Sequence, residues 1–126
     1  MHYRTLIFLC LATASLSNCD KNSQNSPQQE QINSPNLIIG QKLFAKNCAR
    51  CHGRGAKGTD QGPPFIHDIY KPGHHNDASF YRAVEKGVRA HHWQFGDMPP
   101  ITDLPKSDLA EIINYVRHEQ RKSGIH

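Results

Sequence analysis

Five consecutive residues, Cys48-Ala49-Arg50-Cys51-His52, carry most of the chemistry this chain offers. Thiols at i and i+3 stand one helical turn apart on the same side. At that spacing both reach the edge of a single planar ring, and Cys-x-x-Cys-His reads as a c-type haem attachment site. Cys48 and Cys51 would form the thioether bonds. The His52 imidazole would lie against the ring face and ligate the iron while its other N–H seeks an acceptor. Cys-x-x-Cys also serves zinc and thioredoxin-like redox sites. Zinc wants a second pair of ligands, and no third cysteine lies in this part of the chain. The redox motif wants a βαβ setting, which is not visible. A Cys48–Cys51 disulfide would close too short a loop to constrain much of the unfolded chain.

The N-terminus speaks to where this chemistry is done. Arg4 precedes an apolar run from Leu6 to Leu16, a basic segment followed by a short hydrophobic one, the pattern of an export signal over residues 1–18. About 20 apolar residues are needed to span a bilayer, and this run is too short. It ends in Leu16-Ser17-Asn18-Cys19, which resembles the lipobox of bacterial lipoproteins. That resemblance implies a lipidated Cys19 as mature N-terminus, although Asn18 departs from the usual small residue. Ordinary signal cleavage and a soluble periplasmic protein is the alternative. Asp20 resembles the signal that holds some lipoproteins at the inner membrane. Residues 19–36, rich in Asn, Gln, Ser and Pro, hold too little apolar surface to offset ordering entropy and read as a polar tether with a span of about 20–25 Å. With Cys10 lost in the signal, every cysteine has a use.

Residues 37–126 remain for one small all-α domain, a size that benefits from a covalent staple. A helix is expected from Leu37 to Lys46, with Gly40 marking close approach of another backbone. A middle helix is expected over Asp77–Ala90, capped by Asn76 or Asp77, with Phe80, Val84 and Val88 as its apolar stripe. The last is expected over Asp103–Lys122. Pro105 suits its first turn, Leu109, Ile112, Ile113 and Val116 form a stripe, and Arg117, His118, Arg121 and Lys122 suit its C-terminal end. The stretches between read as loops. They hold His67, His74, His75, His91 and His92. Adjacent imidazoles can bind a metal or stand in as an axial ligand, but exposed loop histidines are most often simply solvated.

Gly40-Gln-Lys-Leu-Phe44 followed by Cys48-x-x-Cys51-His52-Gly53 resembles the small class I cytochromes c, and the likeness extends over about Leu37–Ile125. It implies one covalent haem c and N- and C-terminal helices that cross, where Gly40 and Phe44 on the first meet Tyr115 on the last. It also implies a middle helix beside the haem. Within Gly62-Pro63-Pro64-Phe65 it implies that the Pro63 carbonyl accepts the His52 N–H, which orients the ring and raises its basicity. Met98, in a loop braced by Pro99 and Pro100, resembles the second axial ligand. A thioether there favours reduced iron. Trp93 either donates its indole N–H to a haem propionate or walls the pocket.

The formal charge of the full chain is +4. Without residues 1–18 it falls to +3, and two propionates would bring it near +1. No basic stripe with interleaved aromatics appears, which argues against nucleic acid. Lys42, Lys46, Arg50, Arg54 and Lys57 either steer an acidic redox partner or form a solvated face. The expected function is single-electron carriage between envelope redox partners, or within a larger respiratory oxidoreductase, without substrate chemistry. Two other readings stand beside it. A labile Met98 would suit a gas sensor or peroxidase, and the histidine pairs would suit a metal-handling lipoprotein.

Overall fold

A computed structural model of the chain describes residues 34–126. The export signal, Cys19 and most of the tether lie outside the described residues. Four α-helices run in order: α1 Pro35–Asn47, α2 Ala49–His52, α3 Asp77–Lys86 and α4 Lys106–Lys122. Two 3-10 turns, Arg54–Ala56 and Asp68–Tyr70, punctuate the long connection between α2 and α3. Among the described residues no strand forms, and the single bridge pairs Val88 with Met98.

Helix α1 starts two residues earlier than the sequence suggests, because Ser34-Pro35 makes a good beginning. Ser34 Oγ accepts the Leu37 N–H at 3.4 Å, and Pro35 takes the position where a missing N–H costs nothing. Leu37 and Phe44 are buried against Leu109, Ile112, Ile113, Tyr115 and Val116 of α4. The two helices come together at Gly40. A Cβ there would collide with the Glu111 backbone carbonyl and stand 3.0 Å from Tyr115 Cβ. Phe44 and Tyr115 pack with ring centroids 5.3 Å apart.

Helix α3 is capped by Asn76, whose Oδ1 accepts the Ser79 N–H at 3.2 Å. It stops at Lys86 rather than Ala90. Gly87, at φ 74°, turns the chain back, so Val88 leaves the helical stripe and pairs with Met98 instead. Helix α4 begins at Lys106, with Pro105 just outside it as the cap residue rather than within the first turn. Arg117 also departs from the expected solvent-facing, dipole-complementing role. It is 8% exposed, and its guanidinium holds the loops before α3.

Candidate functional site

Cys48 closes α1, its N–H bonding the Phe44 carbonyl at 2.8 Å, and at once opens α2. The one-turn helix sets Cys48 and Cys51 a turn apart, both half-buried and both free thiols. Burial, then the neighbouring Cys51, pushes the Cys48 thiol up to about 11. The end of α2 is stapled down from behind. The Gly58 N–H bonds the His52 carbonyl at 2.7 Å, and the Thr59 hydroxyl donates to the Cys51 carbonyl at 2.6 Å.

His52 is buried, and its Nδ1 donates to the Pro63 carbonyl oxygen at 2.9 Å. Burial pushes its pKa below the ordinary value, with the Pro63 bond pulling the other way. The ring is therefore neutral near pH 7, with the Nε2 lone pair free. Phe65 stacks on it with centroids 4.1 Å apart at an interplanar angle of 22°. Phe65 is the centre of an aromatic cluster that also takes in Phe44, Tyr70 and Phe80. Its N–H bonds the Ala56 carbonyl at 2.8 Å, and its carbonyl accepts from Gln120 Nε2 at 2.8 Å. Phe65 and Gln120 have no site role on sequence grounds, and Arg117 reads there only as a helix C-terminal cation. An aromatic directly after Pro63-Pro64 was the one available signal for the first. The other two continue the α4 stripe, Arg117 four residues after Ile113 and Gln120 four after Val116, but their polar types hid that they lie on the buried face.

Met98 is half-buried and fixed by its backbone. The Val88 N–H donates to the Met98 carbonyl and the Met98 N–H to the Val88 carbonyl, both at 2.9 Å. A Cβ on Gly87 would come to 2.5 Å from the Met98 carbonyl oxygen, so only glycine lets the loop lie this close. The Ile101 N–H then bonds the Val84 carbonyl at 2.8 Å, which pins the far side of Pro99-Pro100 to α3.

Trp93 lies in the same loop, edge-on to His67 with centroids 5.0 Å apart. Its Nε1 is buried and has no hydrogen-bond partner. The Tyr70 hydroxyl is near enough for the indole N–H to lower its pKa, against the larger upward push of burial, but the pair falls short of hydrogen-bond geometry. A buried donor without an acceptor costs about 1–3 kcal/mol, which a bound acceptor would recover. The residues present therefore fit a haem. Two unpaired thiols stand at the right spacing, an oriented imidazole keeps its lone pair, and an orphaned donor waits for a carboxylate. The groove lined by Asp77, Tyr81, Ile113, Asn114, Arg117 and Arg121 includes none of them.

Residues 38–120 match the family model for cytochrome c. The chain is 30% identical over 82 residues to the Cbb3-type cytochrome c oxidase subunit CcoP of Rubrivivax gelatinosus, which is 64% of this chain and 25% of that protein. It thus spans about a quarter of the length of that curated relative. Among solved structures it resembles cytochrome cL from Hyphomicrobium denitrificans, with a TM-score of 0.51 and 20% identity over 78% of this chain and 61% of the other. At that identity the likeness speaks to the fold, an all-α cytochrome c fold.

Proposed function

The chain belongs to the cytochrome c family, and from that premise we propose that residues 37–126 form a domain in which Cys48, Cys51, His52, Pro63, Trp93 and Met98 hold the haem. The protein is a single-electron carrier with one covalently bound haem c, and it works with redox protein partners. Haem c supplies reversible one-electron chemistry at its iron. The chain's own residues determine how that chemistry is held. Cys48 and Cys51 would provide the covalent anchors, and His52 Nε2 would bind the iron. The Pro63 carbonyl fixes the His52 tautomer and strengthens it as a donor. Met98 Sδ would be the second iron ligand, a soft one that raises the potential. Trp93 Nε1 donates to a propionate. Phe44, Phe65 and Phe80 keep water away from the imidazole.

With His52 and Met98 both on the iron, no position would be left for a substrate, which supports a carrier rather than an enzyme. Lys42, Lys46, Arg50, Arg54 and Lys57 are all exposed around the attachment motif and would steer an acidic partner toward it. CcoP is named as an oxidase subunit, which supports a place in or beside a respiratory oxidoreductase. Among the described residues no helix is long and apolar enough to cross a membrane. Lipidation at Cys19 would hold the domain at the periplasmic face of the membrane through the tether of residues 19–36.

The observation that carries this reading is the His52–Pro63 bond beside two free thiols. The test is the absorption spectrum of the exported protein, oxidised and reduced, before and after carbon monoxide. Low-spin spectra in both states with no response to the gas support a closed His52–Met98 carrier. A carbon monoxide shift replaces it with an open, gas-binding site, and a chain that acquires no haem in a host able to attach it ends the reading.

A further inference from the structure

The chain holds 9 histidines, and four of them occur as the adjacent pairs His74-His75 and His91-His92. The fold brings the two pairs together. Ring centroids are 5.4 Å apart for His74–His92, 5.3 Å for His75–His92 and 4.2 Å for His91–His92. A ring nitrogen from each of His74, His75 and His92 lies within 4.8 Å of the others. His91 flanks this trio, 6.2 Å from His75 by centroids and stacked at 28°.

Two further features distinguish this gathering from solvated loop residues. His75 Nδ1 donates to the Ile69 carbonyl at 2.6 Å, and His91 Nδ1 donates to the Arg89 carbonyl at 2.8 Å. A backbone carbonyl on one ring nitrogen fixes the tautomer and presents the other lone pair outward, as metal-ligating histidines require. The backbone beneath is also tied down on both sides. The His75 carbonyl accepts from Arg117 Nη2 at 2.5 Å. The loop carrying His91 and His92 is closed by the Val88–Met98 bridge and by the Ala90 N–H on Asp97 Oδ1 at 2.8 Å. His74 and His92 themselves are exposed and free to swing. Ligands at about 2.0–2.1 Å from a tetrahedral ion stand roughly 3.3 Å apart, so the rings need to close by roughly 1.5 Å, within reach of side-chain rotation.

We propose that His74, His75 and His92 bind one divalent transition-metal ion, with His91 or a water in the fourth position. A set of neutral imidazoles suits Zn2+, Cu2+ or Ni2+ and offers little to Mg2+ or Ca2+, which want oxygen. The ion would join the segment before α3 to the loop that carries Met98. It would thereby clamp that loop from outside without touching the haem ligands.

The test uses the full, haem-loaded chain purified without a polyhistidine tag, titrated with Zn2+ alone. One Zn2+ per chain is expected, with the haem spectrum unchanged. Excess Zn2+ at about 100 times its Kd should raise the melting temperature on the order of 10 °C. His74→Asn and His92→Asn, both at exposed positions, should each weaken binding tenfold or more and abolish the thermal shift. His118→Gln, on α4 outside the cluster, should leave both unchanged. The proposal is overturned by absence of saturable one-to-one binding, by binding that survives both cluster substitutions together, or by a Zn2+-induced change in the haem spectrum.

Discussion

Arg117 on α4 meets Asp77 at the start of α3, Nε to Oδ1 at 2.8 Å. The two ends of this pair differ. The Arg117 side chain is 9% exposed and that of Asp77 is 62%. Arg117 also donates to the Tyr70 carbonyl and the Gln120 Oε1 at 2.8 and 2.7 Å, and its guanidinium lies 5.0 Å from the Phe80 ring centroid. Losing the arginine leaves Gln120 Oε1 and the His75 carbonyl without a donor, whereas losing the carboxylate charge leaves the arginine its other partners. Arg117→Met should therefore cost about 2–4 kcal/mol, from the acceptors left unpaired around it. Asp77→Asn should cost about 1 kcal/mol or less, as for an exposed pair. Urea unfolding followed by haem absorbance separates the two, and equal losses would refute the asymmetry.

Gly40→Ala sets two effects against each other. Alanine gains up to about 1 kcal/mol of helix propensity over glycine. The new Cβ, however, meets the Glu111 carbonyl, a backbone atom of a packed helix that has nowhere to move. Overpacking of this kind costs about 1–3 kcal/mol. A net loss is expected, seen as a melting temperature lower by several degrees. An unchanged or raised value would mean that α1 and α4 can slide apart at little cost.

Gly87→Ala acts on Met98, the proposed second ligand, without changing that residue. Its φ of 74° disfavours a side chain, and its Cβ would press on the Met98 carbonyl. The Val88–Met98 bridge should open and Met98 should hold the iron less firmly. Partial carbon monoxide binding to the reduced protein is the expected sign, with the same experiment on the unaltered protein showing none.

Trp93→Phe removes the one buried side-chain donor that lacks a partner among the described residues. If that N–H serves a propionate, its loss leaves the negative charge less offset and favours ferric iron. The potential should fall by roughly 20–60 mV, the one-electron equivalent of about 0.5–1.4 kcal/mol, with axial ligation unchanged. No shift would leave Trp93 as pocket wall only.

The sequence was informative wherever a local pattern carried the physics. Cys-x-x-Cys-His and the stripe from Leu109 to Val116 depend on spacing within a helix, and Gly40 on one close approach, whereas Tyr115 as its partner came only through the resemblance to cytochromes c. The end of α3 was misjudged because Val84 and Val88 fit a helical period, while Gly87 and a partner ten residues on decided otherwise. Arg117 looked like one more cation near a helix C-terminus. Its real partners, Tyr70, His75 and Asp77, are far away in the chain, and no periodicity reports them. The meeting of the two histidine pairs was invisible for the same reason.

The core also has an order in time. Phe44 is 1% exposed and Val116 0%, and each is covered only when the first and last helices are both present. A chain emerging from its N-terminus therefore displays Cys48, Cys51 and His52 long before α4 exists to complete the packing around them. Contacts that close so late delay folding. That delay leaves the thiols open to a cofactor arriving from outside, at the stage when burial has not yet made Cys48 reluctant to ionise. The same helix pairing that buries Phe44 and Val116 is thus the last to become possible as the chain emerges, since it joins the two ends of the domain.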